Sequence, residues 1–271
     1  MGVMAKEGLI FLLGDILASG ALSFEQWRSA LKGWFHVPPQ FESRIYEQYN
    51  ADRYYGSWTY AANAAITDGA FHCATRRAAN YFSVQAPVHV FVVQETRPNS
   101  GCSVKQEYGT SGADFTPELV DALGAFHGYD VPLQFMNPYA TPRINGNCSY
   151  TPNEAQLSSF MSGVWSAMAA TGSPLPPLSR TLAAPQLQNI SWPQWTSTSQ
   201  QLLNLDFAGP QIVDLTAETL TCKVWDDMMD YFDSVGTFYP TESPPPPPPP
   251  AKAKRPPPRK LGRQSPPYMR G

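Results

Sequence analysis

The chain has 271 residues, 42% of them apolar and 13% aromatic, enough to bury a sizeable core as one domain. Its net charge of −3 hides an asymmetry: seven basic and no acidic residues follow Ser243, leaving 12 basic against 22 acidic before it, or −10. An acidic body argues against a nucleic-acid partner, and without a run of 18 or more apolar residues there is no transmembrane helix.

The chain begins with Gly2-Val-Met-Ala-Lys6-Glu7-Gly8-Leu9-Ile10-Phe11, a carboxylate between Lys and Gly just ahead of an apolar run. That run is too short and too closely bracketed by Glu7 and Asp15 to serve as a signal peptide. Lys6 stands where a myristoylation signal requires Ser or Thr.

Residues 22–35 open with a capping box, Ser23-x-x-Gln26, and carry Trp27, Ala30, Leu31 and Trp34 at helical spacing until Pro38-Pro39. A second amphipathic piece covers 41–49. Residues 68–82 read as a helix, and Val88-His-Val-Phe-Val-Val93 as a buried strand of a parallel sheet covered on both faces. Thr116-Pro117 marks a short helix ahead of Gly124-Ala-Phe-His127-Gly128-Tyr-Asp130. Glycines on both sides of the histidine allow tight turns, so the imidazole projects from a loop beyond the carboxyl end of a strand. Taken alone, such a histidine more often serves packing than chemistry, and it needs a partner.

Thr151-Pro152-Asn-Glu154 starts a further helix with a capping box and proline in its first turn. Leu157, Phe160, Met161, Val164, Trp165 and Met168 form one apolar stripe, read as core, and Gly172 closes it. Residues 201–205 read as a short edge strand. The last helix, 219–232, turns Cys222, Trp225 and Met229 inward. From Ser243 the composition changes to seven consecutive prolines followed by scattered Lys, Arg and Pro. Such a segment cannot bury enough apolar surface to offset its ordering entropy, so 243–271 is expected to be a disordered basic tail, polyproline II in its proline run. It is a stiff spacer that can touch an anionic surface, or a ligand for a proline-recognition domain.

Two of these stretches together resemble the type-B carboxylesterase and cholinesterase family: Lys6-Glu7-Gly8 with its apolar run, and His127-Gly-Tyr-Asp130. The resemblance extends in family order through Asp68-Gly-Ala-Phe-His-Cys73-Ala-Thr-Arg-Arg77 and Thr151 to Leu157, then Trp165, Ala170-Thr-Gly-Ser-Pro174, Trp192-Pro193 and Cys222-Lys-Val-Trp225. It covers about residues 1–232 and implies an α/β fold, namely the C-terminal portion of an α/β-hydrolase, with domain limits of 1–242 and a tail of 243–271. By resemblance, Glu7 is the acid and His127 the histidine of a Ser-His-Glu triad, Asp130 supports the pair, and Ile10 and Phe11 line the substrate pocket. Ile10 stands where cholinesterases carry an aromatic ring for a choline cation, which favours general carboxylic esters.

These hydrolases run Ser, acid, His in chain order with the serine on a G-x-S-x-G elbow. No G-x-S-x-G occurs in the sequence, and the nearest string, Gly109-Thr-Ser111-Gly112-Ala113, lacks the final glycine. No HGGG-type oxyanion string occurs either. The expectation is therefore a C-terminal half, with nucleophile and oxyanion hole upstream and no activity of its own. A non-catalytic, cholinesterase-like adhesion or interaction domain is the competing reading. The resemblance also pairs Cys73 with Cys222 and leaves Cys102 and Cys148 either paired or free. With the sequons Asn147-Cys-Ser149 and Asn189-Ile-Ser191, it suits a secreted protein. The expected partner is a small-molecule ester. No metal-ligand cluster and no cofactor motif are apparent, since His36, His72 and His89 are scattered.

Overall fold

The computed structural model describes residues 1–94, 100–102, 120, 122–136, 149–174 and 191–236. All of them fall within one compact unit, Met1–Gly236.

Its centre is a four-stranded sheet in the order β1 (Gly2–Met4), β2 (Phe91–Val93), β3 (Gln201–Leu205), β4 (Gln211–Asp214). The first three strands are parallel, pairing Val3 with Val92 and Val92 with Asn204; β4 returns antiparallel to β3. Side chains alternate between the two faces with a period of two. Met4, Phe91, Val93, Leu203 and Leu205 enter one core, and Val3, Val92 and Leu202 enter another. The strand expected over 88–93 is shorter than its apolar run, but it lies inside a parallel sheet as its composition requires. Residues 201–205 correct the edge-strand reading: β3 is interior, because the short Gln211–Asp214 adds an outer strand.

The helices are α1 (Leu13–Ser19), α2 (Phe24–Phe35), α3 (Pro39–Gln48), α4 (Trp58–Ile66), α5 (Cys73–Ser83), α6 (Asp130–Gln134), α7 (Pro152–Thr171) and α8 (Thr216–Val235). On the first face of the sheet, α7 buries Leu157, Met161 and Val164, with Phe160, Trp165 and Met168 packed beside them. Each such side chain contributes about 1.5–3 kcal/mol by burial, against about 1 kcal/mol for a cap. The stripe therefore holds α7 in place, while the capping box at Thr151 and Glu154 fixes where it starts. On the second face, Ala79 of α5 and Trp195 cover the strands. A separate helical layer joins α2, α3, α4 and α8 around Trp27, Ile45, Ile66, Trp225 and Met228. In α8 Met228 is buried and the expected Met229 only partly so, because the face turned inward is centred on Val224, Trp225 and Met228.

The helix expected over 68–82 divides into two. Thr67–His72 is one wide π-helical turn, and α5 continues from Cys73. Its first residue, Cys73, is disulfide-bonded to Cys222 in α8 with Cα atoms 5.3 Å apart. Cys102 is also disulfide-bonded, to a partner outside the described residues. Both sequon asparagines, Cys148, Ser111, Thr116-Pro117 and the segment 243–271 lie outside the described residues as well.

The Cys73–Cys222 bridge spans 149 residues of chain. In the chain-entropy account, closing a loop of this length stabilises the fold by about 5 kcal/mol. The double variant Cys73→Ser/Cys222→Ser is expected to lose several kcal/mol of stability in urea unfolding, with peptide mapping of the unreduced parent returning the Cys73–Cys222 pair. A variant as stable as the parent would mean that the bridge constrains little.

Candidate active site

The first site residue sits where β1 ends. Ala5 N–H still bonds Val93 O, at 2.9 Å, but Lys6 N–H turns to Ala125 O, at 3.0 Å. Lys6 and Phe126 form a parallel bridge, which ties the loop carrying Glu7 to the loop carrying His127. Gly8 follows because nothing larger fits: a Cβ there would stand 2.6 Å from Asn63 O and 2.8 Å from Ile66 Cβ of α4. Its N–H donates to Thr67 Oγ1 at 3.0 Å. The turn is thus pressed against α4, and Glu7 is driven inward to 3% exposure.

A buried carboxylate is costly unless donors surround it. Glu7 Oε1 accepts from Met4 N–H at 2.6 Å, and Oε2 accepts from His127 Nδ1 at 2.7 Å, across 120 residues of sequence. Burial pushes the Glu7 carboxyl above its ordinary value, opposed by the Met4 and His127 hydrogen bonds and by the nearby imidazoles of His127 and His72.

His127 is held from both sides of its loop. Ala125 and Phe126 are buried in the core ahead of it. Gly128 adopts φ of +86°, a left-handed turn closed to most side chains. Tyr129 is buried next, its hydroxyl donating to Glu154 Oε1 at 3.3 Å. Glu154, fully buried, also accepts from Thr151 N–H at 2.7 Å and from the Ser100 N–H and hydroxyl at 3.1 and 2.9 Å. The capping carboxylate of α7 therefore also anchors the histidine loop. Asp130 accepts from Gln134 Nε2, one turn along α6, and the Gln134 carbonyl accepts from Trp165 Nε1 at 2.9 Å. Burial raises the Asp130 carboxyl, while its hydrogen bonds and the His127 charge pull it down. Its place is on the flank of the Glu7–His127 pair, bonded to α6.

The imidazole of His127 remains 44% exposed. Its ring is flanked by Phe11 at 5.2 Å and Phe71 at 5.0 Å between centroids, and Trp34 meets Phe11 edge-on at 4.8 Å. Phe11 and Trp34 are 40% and 41% exposed, so they form an open aromatic wall beside the imidazole. Ile10 turns the other way, into the core with Leu9 and Leu13. Of the two pocket residues expected from the resemblance, the structure brings Phe11 to His127 and sends Ile10 inward. Phe71 and Glu154 were given no site role by the sequence. A helical periodicity assigns Trp34 to the packed face of α2, and Phe71 reaches His127 from a π turn that no local pattern announces.

Behind the pair, the Asp68 carboxylate accepts from the Tyr49 hydroxyl at 2.8 Å. Tyr49 in turn accepts from Trp225 Nε1 at 2.7 Å and Gln48 Nε2 at 2.8 Å. Burial pushes the Asp68 carboxyl up to about 6, against the pull of the Tyr49 bond. Among the described residues no group of three or more His, Cys, Asp or Glu side chains is arranged to hold a metal ion. Nor, among them, is any helix long and apolar enough to cross a membrane.

A mixed sheet faced by helices, with a carboxylate–imidazole pair in loops beyond the carboxyl ends of its parallel strands, places the protein in the α/β class. The chain belongs to the carboxylesterase family, whose sequence profile matches residues 1–225. Over 107 residues it is 27% identical to an acetylcholinesterase of Bungarus fasciatus, a stretch that makes up 40% of this chain and 15% of that protein's length.

Asp68 sets a pH dependence whose sign follows from its direction. A carboxyl raised from 3.8 to about 6 binds more protons folded than unfolded. Its contribution to stability is thus fully present below the unfolded value and is lost as pH rises through about 6. Glu7 acts in the same direction. In the Asp68→Asn variant, the change in unfolding free energy between pH 4 and pH 7 should shift by up to about 3 kcal/mol relative to the parent, the parent losing more as pH rises. Parallel stability curves for the two proteins would contradict this.

Proposed function

We propose that this chain supplies the acid and the histidine of a Ser-His-Glu triad hydrolysing small-molecule carboxylic esters, the serine and oxyanion hole coming from residues outside these 271. The observation that carries the reading is the 2.7 Å contact of Glu7 Oε2 with His127 Nδ1, made by a buried carboxylate to a half-exposed imidazole. With Nδ1 engaged, Nε2 is the nitrogen left for the substrate side. The serine attacks the ester carbonyl, and its proton passes to His127 Nε2 and on to the leaving alcohol. Water activated by the same Nε2 then cleaves the acyl-serine to release the acid and restore the serine. Glu7 keeps the proton on Nδ1 and stabilises the cation formed at each transfer. Membership of the carboxylesterase family supports this chemistry. The absence of any G-x-S-x-G string from the sequence supports placing the nucleophile elsewhere.

In the same reading Phe11 lines the pocket, and Asp130 steadies the histidine loop through Gln134. The Cys73–Cys222 bridge suits an oxidising, secretory route, on which Asn147 and Asn189 would be glycosylated. The segment 243–271 serves as a basic spacer or a ligand for a proline-recognition domain.

The test is an assay of the purified chain on short-chain nitrophenyl esters, with a serine-directed organophosphorus probe. The chain alone should show neither turnover nor labelling. Fusion to a family segment bearing G-x-S-x-G should restore both, and Glu7→Gln or His127→Ala should then lower turnover by roughly three to four orders of magnitude. Hydrolysis and single-site labelling by the 271 residues alone, with Ser111 the first serine to map, would overturn the division of the triad. A folded fusion that is neither labelled nor active would favour the non-catalytic adhesion reading.

A further inference from the structure

We infer that His72, backed by Asp68, is a positioning residue for Glu7: a second carboxylate–imidazole pair stands behind the first. The inference rests on the reading of Glu7 as the acid partner of His127, and it comes from one continuous line of polar contacts. His72 Nε2 lies 3.0 Å from Met4 O, and Met4 N–H holds Glu7 Oε1 at 2.6 Å. The residue whose amide fixes one oxygen of the acid therefore has its own carbonyl fixed by His72. On the far side of the ring, Nδ1 lies 3.7 Å from Asp68 Oδ1, and both side chains are 18% exposed.

The protonation pattern follows from what each atom can do. A carbonyl only accepts, so Nε2 carries the proton of its bond to Met4. Nδ1 then faces a carboxyl oxygen. At 3.7 Å this is ion-pair rather than hydrogen-bond distance, so the two attract only with a proton on Nδ1 and an ionised Asp68. With that proton on Nδ1, His72 is a cation that favours the ionised form of Glu7. Where Asp68 is ionised, its charge favours the proton on Nδ1. Tyr49 holds its other oxygen, Trp225 and Gln48 hold Tyr49, and Trp225 lies one helical turn beyond Cys222, which is bonded to Cys73 next to His72.

Four groups beyond Asp68 bear on His72. Glu7 acts on it across the end of β1. Arg76, which lines the same small cavity, spends its charge on Asp226. His127 and Tyr49 stand one partner further away, on Glu7 and Asp68. The π turn delivers the arrangement, because Phe71 meets the His127 ring while the next residue, His72, meets Met4. Such wide turns are frequent where a helix carries function.

The experiment follows the Glu7 carboxyl carbon by NMR across pH in the isotope-labelled chain. His72→Gln keeps a donor for Met4 O and removes the charge, while Asp68→Asn removes the group that attracts the proton to Nδ1. In both, the Glu7 midpoint should rise by about half a unit or more, the direction expected when a nearby cation is lost. A folded His72→Gln protein whose Glu7 midpoint equals the parent's would overturn the assignment, since a merely structural role would alter melting temperature and leave that midpoint in place. Should the variants not fold, the parent alone decides. Long-range proton–nitrogen spectra should show His72 protonated at Nε2, and a ring protonated only at Nδ1 overturns the proposal. None of these readouts needs turnover, so they stand or fall separately from the esterase reading.

Discussion

The structure depends on one constraint: a carboxylate at the end of the first strand has been taken almost wholly out of water and must be satisfied by partners from the protein. Glu7 meets it with one backbone donor and one imidazole. Removing either would leave a buried charge short of a partner, which costs far more than an average hydrogen bond returns. The position of His127 is consequently not free to drift. Its loop is clamped by the Lys6–Phe126 bridge on one side and by Tyr129 on Glu154 on the other. The same low-polarity surroundings strengthen the Glu7–His127 interaction by excluding competing water.

Three elements converge on that carboxylate for separate physical reasons. The parallel strands β1 and β2 bring the chain to the sheet end where the loops diverge. Helix α4 approaches so closely that only glycine fits after Glu7. The wide turn at Thr67–His72, locked at its end by the Cys73–Cys222 bridge, presents Thr67 to Gly8, Phe71 to His127 and His72 to Met4. A regular α-helix through these residues would step each side chain round by 100° and could not offer adjacent positions to these targets in the same way.

Much of this was legible in the residues. Glu7 and His127 each had an ordinary structural explanation alone and stood out only together, because the two stretches resemble one family's pattern. Capping boxes at Ser23 and Thr151 marked helix starts that the structure keeps, because capping is chemistry between near neighbours. What was not legible depends on distant partners. The strand from 211 to 214 has only Ile212 and Val213 as apolar residues, too short a run to announce itself, yet it turns 201–205 from an edge into an interior strand. Ile10 and Phe11 are adjacent and similar in character, and only the tight four-residue helical turn at Leu9–Leu12 decides which faces the core. Trp34 shares a helical stripe with Trp27 and Leu31 but lies at the end of α2, where the stripe leaves the core and meets Phe11.

The central claim is that Glu7 fixes His127 in one tautomer, with the proton on Nδ1 and Nε2 left bare. Proton-detected nitrogen spectra of the folded chain test it most directly. The account predicts that the neutral His127 ring carries its proton on Nδ1 and shows an unprotonated Nε2, and that Glu7→Gln weakens this preference. A neutral His127 ring protonated at Nε2, or one dividing evenly between the two tautomers in the parent protein, would contradict it.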